Sequence, residues 1–214
     1  MNPTPWTAAE QLADYRRRVS ELYAVVRQPG RDPQERWLHW RTGRDALFGT
    51  HPQSALDVAQ KSAFSGLDYF PYDPALRLAL EVETLVDDQI LDVTLEEDGL
   101  FRMRRFGRVC FEVAGEPACL TLFWILGYGG GIFLPFRDTT NGKQTYGGGR
   151  YLLDTIKGAD LGHANGRLVL DFNFSYNPSC AYNPRWVCPL APIENWVQSP
   201  IRAGELAFLE EGTP

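Results

Sequence analysis

Histidine, positive charge and long apolar runs are all scarce in this chain, and each shortage closes a class of function. Only His39, His51 and His163 occur, and no HExxH, serine elbow or EF-hand spacing is present. The triplet Gly147-Gly148-Gly149 lacks the Lys-Ser/Thr that completes a P-loop, and Arg150 leads into a strand pattern, not a helix. The earlier GYGGG fails as a dinucleotide fingerprint on the same ground. Lys and Arg number 21 against 27 Asp and Glu, giving a net charge of −6 and a pI near 5.1. That balance argues against a nucleic-acid partner held by overall charge. The longest apolar stretch, Ala118 to Leu126, is the size of a strand and too short to span a bilayer, so no membrane association is expected. The start, MNPTPWTAAEQ, has neither a basic n-region nor an apolar h-region, which predicts a cytoplasmic protein. Four cysteines in no Cys-x-x-Cys spacing are then expected to be free thiols, with no bound metal.

What is present reads first as helix. Thr7 and Glu10 form a capping box, and Leu12, Tyr15, Val19, Leu22 and Val26 recur at helical spacing up to Pro29-Gly30. Asp32-Pro33 with Glu35 opens a second helix, with Trp37, Trp40, Leu47 and Phe48 on its apolar face and Gly49 at its end. GLDYFPYDP then forms an aromatic plug over the end of a sheet.

From Leu76 the period falls to two. Strands are predicted at 76–83, Ile90 to Leu95, 101–103, Val109 to Val113, Cys119 to Leu126, Ile132 to Phe136, Arg150 to Asp154 and Arg167 to Phe174, with Gly107 as a break or bulge. Such a succession without helical crossovers implies antiparallel pairing. The expected fold is α+β: an N-terminal helical arm (1–75, with the aromatic loop) packed on an antiparallel β-barrel or sandwich of about eight strands (76–214), forming one compact unit. The tail after Tyr176 is rich in proline and aromatics and is expected to be irregular but pinned to the body.

Polar density peaks between Phe133 and Tyr182. Residues 76–100 carry one basic residue, Arg77, against eight carboxylates, whereas residues 101–158 carry eight basic against four acidic. The positive potential is thereby placed in the central segment. Asn141-Gly142 is a hairpin signal that would fold Thr145, Tyr146 and Arg150 back beside Arg137. Two neighbouring guanidiniums need a carboxylate or a bound anion between them. Asp138 and Asp171 are the nearby carboxylates, and either could serve as a general base. Asp171, Asn173 and Tyr176 alternate along the last strand, opposite Phe172 and Phe174. Cys180 and Tyr182 follow at once. With no histidine near it in sequence, Cys180 reads as a buried, inert thiol at the edge of the site.

These segments resemble a family. PFRDTTNGKQTYGGGRYL, LVLDFNFSYNPSCAY, CPLAPIENW and IRAGE, preceded by HPQSAL and GLDYFPYDPALR, look like a widespread prokaryotic domain-of-unknown-function family, number 1684. The helix from Trp37 to Phe48 fits as well, so the resemblance runs from about Trp37 to Glu205. It implies no activity.

The function expected from the residues is binding of a small anionic molecule, a carboxylate or phosphate, in a barrel pocket. Arg137 and Arg150 would hold the charge, and Asp138, Tyr146, Asp171, Asn173, Tyr176, Cys180 and Tyr182 would line the rest. No catalytic residue or cofactor is assigned. A reading from another class makes the polar groups a buried structural network and the aromatic tail a docking surface. A third makes the chain a split barrel that holds flavin, with the arginines at its phosphate. A homo-oligomer is compatible with all three.

Overall fold

Trp37 and Trp40 explain how the two halves of the chain meet. The computed structural model describes residues 6–85, 89–95 and 99–208. The first residues of the chain, part of the acidic run (Asp87, Asp88, Glu96, Glu97 and Asp98) and the end of the tail lie outside them. Helix α1 (Ala8–Val26) starts at the expected capping box, with Thr7 N–H donating to Glu10 Oε2 at 2.8 Å and Glu10 N–H donating to Thr7 Oγ1 at 3.3 Å. Helix α2 (Pro33–Thr50) is capped by Asp32, whose carboxylate accepts from the N–H groups of Gln34 and Glu35. Both helices turn aromatic residues inward. Trp40 meets Tyr23 edge-on at 6.0 Å and Phe174 at 5.1 Å, and the Trp37 indole N–H donates to the Asn173 carbonyl at 2.8 Å. The stripe on α1 follows the expected one in part: Val19, Leu22 and Val26 meet the core, but Asp14 and Tyr23 are the most buried residues and Leu12 is exposed. A short helix α3 (Val58–Ala63) follows.

The strands form two antiparallel sheets. One is three-stranded, β1 (Arg77–Leu80), β9 (Arg167–Asp171) and β8 (His163–Ala164) in that order. The other is built on β4 (Gly99–Val113). Strand β5 (Glu116–Ile125) lies on one edge of it, and β2 (Glu83–Thr84) and β3 (Ile90–Leu95) share the other edge. Beyond β5 come β6 (Ile132–Phe136) and β7 (Arg150–Asp154). The two strands expected around Gly107 are one long strand with a register shift between Arg105 and Gly107. A Cβ at Gly107 would come within 2.5 Å of Val82 Cγ1, so a side chain there would collide with the incoming β2 edge.

Among the described residues neither sheet closes into a barrel, which corrects the barrel half of the expectation and leaves a mixed α+β architecture. The interior is filled instead. Leu120, Leu122, Leu134, Phe136 and Leu152 from the larger sheet pack with Leu168, Leu170, Phe172 and the helical aromatics in one cluster. Met103, Phe123, Phe133 and Tyr151 form a second cluster, and Phe48, Leu56, Leu67 and Tyr182 a third.

A second correction concerns the thiols. Cys110 and Cys119 stand directly opposite each other on β4 and β5 and are joined by a disulfide. Only Cys180 and Cys188 are free. The reduced-thiol argument for the cytoplasm is lost with that bond. Among the described residues no helix is long and apolar enough to cross a membrane.

Candidate functional site

The chain from Arg137 to Gly149 is not the tight hairpin that Asn141-Gly142 suggests. Gly142 does take a left-handed backbone, φ +73°. Yet Asn141 Nδ2 is spent inside the loop, donating to Thr145 Oγ1 at 2.9 Å and to the Tyr146 carbonyl at 2.8 Å. The whole segment is a compact connection between β6 and β7. Phe136 is the register partner of Arg150, and the Arg150 guanidinium lies 5.1 Å from the Phe136 ring. Arg137, one residue on, stacks over Trp196 at 4.2 Å. The two arginines thus serve different surroundings and do not converge on a shared cavity.

Arg150 is completely buried, and its two terminal nitrogens are engaged by the protein, while its Nε–H has no acceptor among the described residues. It donates to Asp138 Oδ2 at 2.8 Å, to the Ile201 carbonyl at 2.9 Å and to the Ala203 carbonyl. Asp138 Oδ1 in turn accepts from the N–H groups of Thr140 and Ile201. This is a clamp that holds residues 201–205 against β7. Both side chains are wholly buried, so the pair faces the tail and not an open cavity.

Tyr182 belongs to an adjoining network. Its hydroxyl donates to Glu205, and Arg44 donates to both the Tyr182 hydroxyl and Glu205 Oε2, each at 2.9 Å. Asn177 N–H completes the carboxylate at 3.1 Å. Tyr176 packs under the same Arg44, 5.1 Å from its guanidinium, and edge-on to Tyr151. Burial works against the Arg44 charge, but Tyr182 and Glu205 more than offset it and hold its pKa well above normal. These groups tie α2 to the tail.

Tyr146 and Cys180 are brought together, 3.6 Å apart, with Cys188 alongside. The hydrogen bond from Cys188 draws the Cys180 thiol down to about 6, helped by Tyr146, whereas Cys188 is pushed up. Burial, then Cys180, pushes Tyr146 up to about 12. Cys180 is half-buried rather than fully buried, beside Tyr146 and Cys188.

Asp171 and Asn173 lead elsewhere. They sit where β9 passes into a one-turn helix, Phe172–Phe174, and Asn173 donates from its backbone and its amide to Asp171 Oδ1. The other oxygen, Oδ2, faces Arg77 Nε at 3.7 Å. Burial raises the Asp171 carboxyl to about 6 against the pull of Asn173, Arg77 and Arg36. Asp171 lines a cleft of about 270 Å³ between the end of α1, the start of α2 and the three-stranded sheet. Arg27, Arg36, Arg77 and His163 also line it. Arg27 is spoken for at the rim by Asp160, donating to its carbonyl at 2.6 Å and pairing with its carboxylate at 3.6 Å. Arg36 uses one nitrogen on the carbonyls of Val26 and Gln28, while its buried Nε–H has no acceptor. Arg77 is a third exposed.

This cleft was not singled out from sequence, because its arginines come from the end of α1, from α2 and from β1, with no motif linking them. One signal pointed to it: Arg77 is alone among eight carboxylates over residues 76–100, and it is the register partner of Asp171. The cleft can neutralise a small anion with guanidinium donors beside a carboxyl group that changes charge near neutral pH. Among the described residues no group of three or more His, Cys, Asp or Glu is placed to hold a metal ion.

Residues 62–206 match the family described as "Protein of unknown function (DUF1684)", and the chain belongs to it. The ordered motifs from HPQSAL to IRAGE implied as much. The fold is shared with the solution NMR structure of an uncharacterized protein from gene locus rrnAC0354 of Haloarcula marismortui. That protein is 31% identical, with the alignment covering 83% of this chain and 96% of the other, and the TM-score is 0.58. No curated protein matches.

Proposed function

We propose that this member of the DUF1684 family binds a small anionic molecule, a carboxylate or phosphate, in the cleft lined by Arg27, Arg36, Arg77 and His163. The observation that carries the reading is the charge count there: three guanidiniums line one cleft with a single carboxylate, Asp171, among its lining residues. Guanidinium pairs bind carboxylate and phosphate bidentately, and donors in a partly desolvated cleft act more strongly than in water. The Nε–H groups of Arg36, Arg41, Arg44 and Arg150 have no acceptor among the described residues, and of these arginines Arg36 alone lines the cleft, where a ligand oxygen would satisfy its donor. Asp171 confers pH dependence. Its ionised form repels an anion and its protonated form does not, so binding strengthens as pH falls through about 6.

The test is a thermal-shift screen of sulfate, phosphate and citrate. An anion at about 100 times its Kd stabilises the fold by about 2.7 kcal/mol. For a chain of this size that is a rise in Tm of roughly 5–10 °C. Hits that disappear in Arg36→Ala and in Arg77→Ala, but persist in Arg137→Ala, support the cleft. Hits indifferent to Arg36 and Arg77 refute it.

The interaction reading is favoured by one observation of its own. The tail and the larger sheet expose Ile193, Leu190, Trp196, Trp124 and Tyr128. Exposed aromatic and aliphatic side chains at this density are a feature of docking surfaces.

A further inference from the structure

Cys180 and Cys188 take no part in the anion cleft, and their arrangement is that of a working pair. Cys180 rides on a one-turn helix, Ser179–Ala181. The irregular tail then brings Cys188 back, so that the Cys180 backbone N–H donates to the Cys188 sulfur at 3.4 Å. From the other side the Tyr146 hydroxyl reaches the Cys180 sulfur at 3.6 Å. All three side chains are only half-buried, so a reagent in solution can reach them. The geometry points to a reactive dithiol: Cys180 is the attacking sulfur and Cys188 the resolving sulfur of a thiol–disulfide exchange site for disulfides of small thiols.

The chemistry balances in two steps. The Cys180 thiolate attacks one sulfur of R–S–S–R, forming Cys180–S–S–R and releasing RS⁻. Cys188 gives up its proton to RS⁻ or to solvent and attacks the Cys180 sulfur. That closes Cys180–S–S–Cys188 and releases the second RS⁻. The protein dithiol is oxidised by two electrons and the small disulfide is reduced to two thiols. The groups that face the pair account for the division of labour. The Cys188 S–H and the Tyr146 hydroxyl donate to Cys180 and favour its thiolate. Cys188 is held as a thiol by its hydrogen bond to Cys180 and by burial, against the opposing pull of the Cys180 backbone N–H and of Lys157. Cys180 is therefore the sulfur favoured as thiolate, and Cys188 is the one favoured to keep its proton.

The experiment uses oxidised glutathione on the full chain, with acid quench and peptide mapping. Wild type is expected to release two glutathione thiols per chain and to end with Cys180 joined to Cys188. Cys188→Ser should stop at a glutathione mixed disulfide on Cys180. Cys180→Ser should leave Cys188 slower to react by at least about 10-fold. The wild-type rate should reach half its maximum near pH 6, against about 8.5 for an ordinary thiol, and Tyr146→Phe should move that midpoint upward. The pH profile needs no substitution, so it stands even if a variant folds poorly. A midpoint near 8.5, equal reactivity of the two cysteines, or a wild-type mixed disulfide that Cys188 fails to resolve would overturn the assignment.

Discussion

Replacing Arg150 with methionine separates the structural account of the central motif from a ligand-binding one. Arg150 is wholly buried, so methionine fits its aliphatic volume but removes the charge. Asp138, equally buried, is left without its cation. Breaking a buried ion pair on one side costs about 3–5 kcal/mol, because the remaining charge stays desolvated. The carbonyls of Ile201 and Ala203 also lose a donor, at about 1–3 kcal/mol for each acceptor left bare. These terms overlap, since the tail can loosen and let water in, so about 3–5 kcal/mol is the expected total. At roughly 2–4 °C per kcal/mol for a chain of this length, Tm should fall by about 6–20 °C. The assay is thermal and urea denaturation followed by circular dichroism, with limited proteolysis to detect release of residues 201–208. The double variant Asp138→Leu/Arg150→Met should recover more than half of the loss, because a buried pair exchanged for apolar groups is often close to neutral. A single variant within 1 kcal/mol of wild type, or a double variant worse than the sum of the singles, would refute the clamp.

Three further outcomes follow from the same coordinates. Asp171→Asn should tighten sulfate binding at pH 7 and abolish its pH dependence. The folded-state pKa of Asp171 is raised to about 6, so wild type should bind more tightly only as pH falls through that value; identical profiles for the two proteins would remove Asp171 from the cleft. Thiol titration in denaturant without reductant should find two free thiols rather than four, and Cys110→Ser/Cys119→Ser should lose about 2–3 kcal/mol, as the chain-entropy relation gives for so short a loop. Trp40→Ala should cost about 3–5 kcal/mol, since the ring is 1% exposed and wedged between Tyr23, Tyr69 and Phe174; a loss under 1 kcal/mol would mean that α2 does not seal the core.

The local features of the fold were legible in the residues, because local rules govern them. Thr7 with Glu10 and Asp32 with Pro33 specify helix starts through backbone donors a few residues away, and period-two alternation marks the strands. Closure was not legible. Whether a run of antiparallel strands shuts into a barrel depends on which strand pairs with which, and here β1 leaves the sequence of neighbours to pair with β9. Where the predicted site residues would lie was not legible for a related reason. Arg150, Asp138 and Tyr182 look like a functional cluster because buried polar groups need specific partners. Asn195, for example, pairs both ways with the Thr121 backbone and also donates to Pro135, and nothing in its sequence neighbourhood says so. Polar density marks a network, and only the fold tells whether that network faces a ligand or a tail. The neighbours of Cys180 were not legible either, because Tyr146 and Cys188 lie 34 and 8 residues away in the chain. The arginine cleft is assembled from three elements and could be hinted at only through the isolation of Arg77.

Calorimetric titration of sulfate into wild type, Arg36→Ala and Arg77→Ala at pH 5.5 tests the central claim most directly. Sulfate keeps its charge throughout this range, so the protein alone supplies any pH effect. Saturable one-site binding to wild type is predicted, weakened by about 10- to 100-fold in each variant, the loss that follows from removing a charged hydrogen bond of about 1.5–3 kcal/mol. Binding of unchanged affinity in both variants, or none in wild type for sulfate, phosphate and citrate alike, would contradict the account.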